Sequence, residues 1–155
     1  MNTCIVPVDF SDATEPLVEY ACRFALEAKE RPIHVVLVHV TEPLIAPMPS
    51  LAATEAFTGG TDIALTLPID ERAEHHQLAR WRKVFEHAGV DCETHLLLGL
   101  AVDEIAQIAA EKKADLIIMA SHGRGALYHL FAGSTVTGVL KHTPCPVLLV
   151  PMKKK

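Results

Sequence analysis

Several things are scarce in this 155-residue sequence, and each scarcity closes off a class of function. Positive charge is in deficit, with 14 Lys and Arg against 19 Asp and Glu, a formal net charge of −5. A nucleic-acid-binding domain needs a basic face, so no nucleic acid is expected as a partner, and residues 152–155, ending in Lys153-Lys154-Lys155, read as a solvated tail. No apolar run approaches the roughly 18 residues at which a membrane helix is considered. The opening MNTCIVPVDFSD lacks the basic region and long apolar core of a signal peptide, so the expected location is the cytoplasm. The 4 cysteines, Cys4, Cys22, Cys92 and Cys145, stand far apart in apolar contexts without a C-x-x-C pair. That is the pattern of buried free thiols in a reducing compartment. The 9 histidines show no H-E-x-x-H or similar spacing, and no side-chain metal site is expected. Neither a Ser-His-Asp order nor paired acids can be found, so no catalytic residue is assigned and any hydrolysis should be slow.

What is present is a globular composition, 50% hydrophobic and 21% charged, of a length that suits one domain over residues 1–155. Cys4 to Val8 reads as a strand ending at Asp9. A helix follows, with Ser11 or Asp12 as its cap, Pro16 in its first turn and an apolar stripe through Leu17, Tyr20, Ala21, Phe24, Ala25 and Ala28. Ile33 to Val40 is continuously apolar at its centre, as in a strand buried on both faces. Residues 41–69 break the rhythm with four prolines, Pro43, Pro47, Pro49 and Pro68, and the pair Gly59-Gly60, a connection whose length suits a lid, a partner surface or disorder. From Asp70 a second helix carries Leu78, Trp81, Phe85 and Ala88 on one face, and Gly89 stops it. Cys92 to Leu98 alternates apolar residues with Glu93 and His95, predicting an edge strand. A third helix stripe, Val102, Ile105, Ala106 and Ala109, precedes a strand from Leu116 to Met119.

The stretch from Asp115 to Pro151 is the most informative. Between its two apolar strands lies a loop from Ala120 to Gly133 and a short helix opening at Gly133-Ser134. A helix start presents unpaired N–H groups and the positive end of a dipole, so this loop is a candidate phosphate site. It is neither a dinucleotide fingerprint nor a Walker loop, since no Lys precedes Ser134. His122 and Arg124 are candidates to add positive charge there. The alternation β-α-β-α-β-α-β-α-β specifies an α/β fold, a doubly wound, mostly parallel sheet with helices on both faces. Ligands in such folds sit at the carboxyl ends of strands, which directs attention to Asp9 and to residues 120–133.

With those residues in view, the chain resembles the universal stress protein family over essentially its full length. VPVDFSDAT looks like that family's first strand and loop, LVHV at Leu37 to Val40 like its second strand, and CPVLLVP like its last. Gly123, nine intervening residues, Gly133 and Ser134 fit the second half of its G-x-x-G-x9-G-[ST] signature. Ala120 stands where the first glycine belongs; at a positive φ its methyl would cost on the order of 1 kcal/mol. The resemblance implies a five-stranded sheet of order 3-2-1-4-5 and an ATP site, with any Mg or Mn held by the phosphates. It implies that Pro7, Val8 and Asp9 line one side, that Val40 meets the base through its backbone, and that Met119 and Ala120 lie at the ribose. Gly123, Gly133, Ser134 and Thr135 would hold the phosphates. A homodimer joined through the last strand, Val147 to Val150, is also implied, and with it a stress-response signalling role. The alternative is a nucleotide-free dimeric interaction module.

Overall fold

The computed structural model describes residues 2–28, 30–42, 71–122 and 134–152, apart from the side chains of Glu71 and His122. Most of the 41–69 connection, the glycines Gly123 and Gly133, Arg124 and the lysine tail lie outside the described residues. In chain order the elements are β1 (Asn2–Pro7), α1 (Thr14–Glu27), β2 (Ile33–Thr41), α2 (Glu71–His87), β3 (Cys92–Leu98), α3 (Ala101–Glu111), β4 (Leu116–His122), α4 (Ser134–His142) and β5 (Val147–Met152). The strands form one sheet in the order β3-β2-β1-β4-β5, with every neighbouring pair parallel.

Because side chains alternate across a strand, each strand feeds two cores. Cys4 and Val6 of β1, Val35 and Leu37 of β2 and Ile118 of β4 pack with Leu17, Val18 and Ala21 of α1 and Leu78 and Phe85 of α2. Ile5, Val36, Val38, Ile117 and Met119 point the other way, onto Ile105, Ile108 and Ala109 of α3 and Val136 and Val139 of α4. The central strands read as unbroken apolar runs because both of their faces are covered. β3 lies at an edge, as its alternation predicts, and its middle residues are only half-buried. All four cysteines are free, and burial pushes the thiols of Cys4 and Cys92 up to about 12.

Two expectations need correction. The cap of α1 is neither Ser11 nor Asp12: it is Ala13, which makes no side-chain cap bond. Ser11 is engaged one turn earlier, its carbonyl accepting from the Thr14 amide at 2.9 Å while its hydroxyl donates to Asp9 Oδ1 at 2.6 Å. Pro16 does fall in the first turn, where a missing N–H costs nothing. The second correction concerns Ala120, which is not in a loop. β4 runs on to His122, and Ala120 is paired with Val150 of β5.

Candidate functional site

β1 sits at the centre of the sheet, with β2 on one side and β4 on the other, so the winding direction reverses between β1 and β4. A crevice opens at the carboxyl ends of those two strands. A cavity of about 250 Å³ lies there. Of the residues singled out in the sequence, it brings together Pro7, Val8 and Asp9 from the end of β1, Val40 from β2, Met119 and Ala120 from β4, and Ser134 and Thr135 from the start of α4. His122 belongs to β4, but its side chain is outside the described residues, as are Gly123, Arg124 and Gly133.

The cavity also recruits residues that local pattern could not assign. Val38, Leu17, Ile105 and Val136 form an apolar floor, and Ala13, Thr14 and Ala101 mark the starts of α1 and α3. Once β2 is known to lie beside β1, with Pro7 opposite Val38, the inclusion of Val38 follows from register alone. Asp9 is the one carboxylate among the described lining residues, and they include no lysine or arginine. Its Oδ1 accepts from the Ser11 amide at 3.0 Å and the Thr14 hydroxyl at 3.5 Å, closing an Asx turn that shapes the rim.

Ala120 meets the structural condition on which its cost depends. Among the described residues the non-glycine positions with positive φ are Phe10 and Lys113, so Ala120 carries its methyl without left-handed strain. Phe10, directly after Asp9, has φ 58°, a conformation that costs a bulky residue on the order of 1–3 kcal/mol and persists only where its surroundings enforce it. Its ring is stacked on the imidazole of His39, centroids 4.0 Å apart.

A larger open trough of about 760 Å³ lies at the opposite, amino-terminal ends of the strands, between Thr3, Phe24, Glu27 and Asp115. Size is a poor guide here: that trough adjoins no strand carboxyl end and no switch point, where parallel sheets bind their ligands. Among the described residues no group of three or more His, Cys, Asp and Glu converges as metal ligands would, and no helix is long and apolar enough to cross a membrane.

The family model for the universal stress proteins matches residues 1–151. The chain belongs to the universal stress protein family. A universal stress protein of Methanocaldococcus jannaschii is 32% identical over 97% of this chain and 82% of its own length. Among solved structures, the universal stress protein UspA from Lactobacillus plantarum superposes with a TM-score of 0.71 at 22% identity, covering 96% of this chain and 97% of that one. The universal stress protein from Archaeoglobus fulgidus in complex with dAMP gives a TM-score of 0.64 at 22% identity, covering 96% and 97%. These structures share the five-stranded parallel fold described above.

Proposed function

We propose that this universal stress protein binds ATP or a related adenine nucleotide in the crevice between β1 and β4, and that occupancy acts as a signal in a stress response. The observation that carries the reading is the convergence of Pro7, Val8, Asp9, Val40, Met119, Ala120, Ser134 and Thr135, contributed by four separate elements or their loops, on one cavity. Its apolar floor suits a flat base. Its rim holds a carboxylate, Asp9, able to accept from ribose hydroxyls. At about 250 Å³ it is near the small end of ligand sites, room for a nucleoside, with the phosphates extending over the start of α4. There the N–H groups of a first helical turn attract anions, and Gly123, Gly133, His122 and Arg124 would complete the phosphate cradle. Mg²⁺ or Mn²⁺ would be held by phosphate oxygens and water. The dAMP bound by the Archaeoglobus relative supports the ligand class. Turnover would be slow at most, since the described lining offers a single carboxylate and no general base beside it.

Thermal melts with ATP, ADP and AMP test this. A nucleotide present at about 100 times its Kd stabilises the fold by roughly 2.7 kcal/mol, a rise of about 5–10 °C for a domain of this size. No shift at millimolar nucleotide would instead favour a nucleotide-free dimeric interaction module.

Dimerisation belongs to the same proposal. β5 is an edge strand whose apolar residues Val147 to Val150 remain half-buried, leaving a row of backbone donors and acceptors open to a second copy. Light scattering should give twice the 16.9 kDa chain mass, and Leu149→Lys should return a monomer. A wild-type monomer at micromolar concentration would remove the dimer from this reading.

A further inference from the structure

Two residues stand behind the cavity rim without lining it, and both are held unusually firmly. Phe10 keeps a left-handed backbone, and His39 is 9% exposed. The imidazole of His39 meets three partners. Nδ1 lies 2.8 Å from the Val8 carbonyl, the ring face is stacked on Phe10, and Nε2 lies 3.7 Å from Glu74 Oε1 in the first turn of α2. A carbonyl can only accept, so Nδ1 carries the proton and donates to it. In the neutral ring Nε2 is therefore a lone pair turned toward a carboxylate, with no proton between them. The other oxygen of that carboxylate is fixed by the Thr41 hydroxyl, which donates to Oε2 at 2.7 Å.

We propose that His39 is a positioning residue for the cavity: it fixes the Val8 carbonyl and Phe10 from behind and, through Glu74, couples the rim to α2 in a proton-dependent way. The inference rests on the nucleotide-binding reading for its purpose, though not for its geometry. Protonation puts a second N–H on the ring and turns the 3.7 Å Nε2–Glu74 contact into an ion pair. The ring is then tied at both nitrogens, and the loop from Val8 to Ser11 is held more rigidly, so less ordering remains to be done when a ligand binds. Among the described residues, Asp9 on the same loop accepts from Ser11, the register partner of His39 on β3 is the uncharged Leu96, and Glu74 is the charged group of α2 that meets the ring.

The first test needs no ligand. In ¹⁵N NMR of the free protein titrated from pH 8 to pH 5, the amides of Asp9, Phe10, Ser11 and Glu74 should shift together, with the midpoint of the His39 ring. Glu74→Gln, which removes the counter-charge, should uncouple the amide of residue 74 from the rim amides, and His39→Asn, which keeps a donor for Val8 but has no ring to protonate, should abolish the common shift. Adenosine, which has no phosphate to titrate in this range, supplies the second test. Wild type should bind it about fivefold or more tightly below the midpoint than above it, and His39→Asn should show one affinity at every pH. Rim amides that titrate unchanged in His39→Asn, an amide of residue 74 that still shifts with them in Glu74→Gln, or a His39 ring that does not titrate while the fold persists, would overturn the coupling. Failure of adenosine and ATP to bind at any pH would sink the nucleotide reading and leave the NMR result to decide the coupling by itself.

Discussion

Gly138 of α4 lies against Val102 of α3 so closely that a methyl group on Gly138 would stand 2.5 Å from the valine Cγ2. Real carbon contacts are never that short, and valine in a helix has little rotamer freedom with which to yield. Gly138→Ala should therefore force the helices apart. Overpacking of this kind costs typically 1–3 kcal/mol, offset by the better helix propensity of alanine, for a net loss of about 1 kcal/mol. Urea unfolding of Gly138→Ala, Val102→Ala and the double variant should give a cycle in which the double variant loses less than the sum of the singles. Strict additivity would mean that the two residues do not touch. The contact matters to the cavity because Ala101 and Ser134, one residue and four residues away along the same two helices, belong to its wall.

A second prediction concerns pH. The Lys112 ammonium, 2.6 Å from Glu93 Oε1, holds that carboxyl down at about 2, with burial opposing and His95 assisting. A folded-state value below the ordinary one means that the interaction stabilises the fold at neutral pH. That contribution fades as pH falls from about 4.5 toward 2. Glu93 is about a third exposed, so solvent screening limits the effect at neutral pH to under about 1 kcal/mol. Glu93→Gln should be less stable than wild type at pH 7, and the gap should close as the solution is acidified toward pH 2. A gap that widened on acidification would show that the pair is not formed.

A third concerns the end of α3. Lys113 is exposed and has φ 50°, the left-handed position that follows a helix C-terminus, where the Ala114 amide donates back to Ala109 at 2.8 Å. Glycine is the usual occupant of that position because it has no Cβ to strain. Lys113→Gly should raise stability by about 0.5–1 kcal/mol in denaturant titrations with an unchanged slope, and Lys113→Val should lower it. A neutral or destabilising glycine would contradict the backbone described here.

The sheet was legible because the apolar runs at Val35–Val38 and Leu116–Met119 have one physical explanation, burial on both faces, and because Glu93 and His95 mark β3 as the strand with a wetter side. Eight residues of the cavity could be named for a related reason: the resemblance carried them on strand ends and on a helix start, positions that the fold itself specifies. What escaped was non-local or conformational. Phe10 gives no sign of a left-handed backbone, since glycine, asparagine or aspartate would be expected there. His39 could be read as a satisfied core residue, but its partners Val8 and Glu74 come from elements that meet it only in the folded chain. Ser11 looked like a cap because its chemistry suits one; its hydroxyl donates to Asp9 and accepts from the Ala13 amide instead, and the helix begins two residues later than such a cap would set it.

The parallel sheet with β1 at its centre has one more consequence. Pro7 to Asp9, Ala13 and Thr14 are distant along the chain from Met119, Ala120 and Ser134 to Val136, yet the two groups line a single crevice. Whatever fills it acts as a removable cross-link between the amino-terminal and carboxyl-terminal halves, so neither half can fray by itself while the guest is in residence. In hydrogen exchange, then, loading the crevice should slow the opening of β1 and β4 together and bind two locally independent units into one.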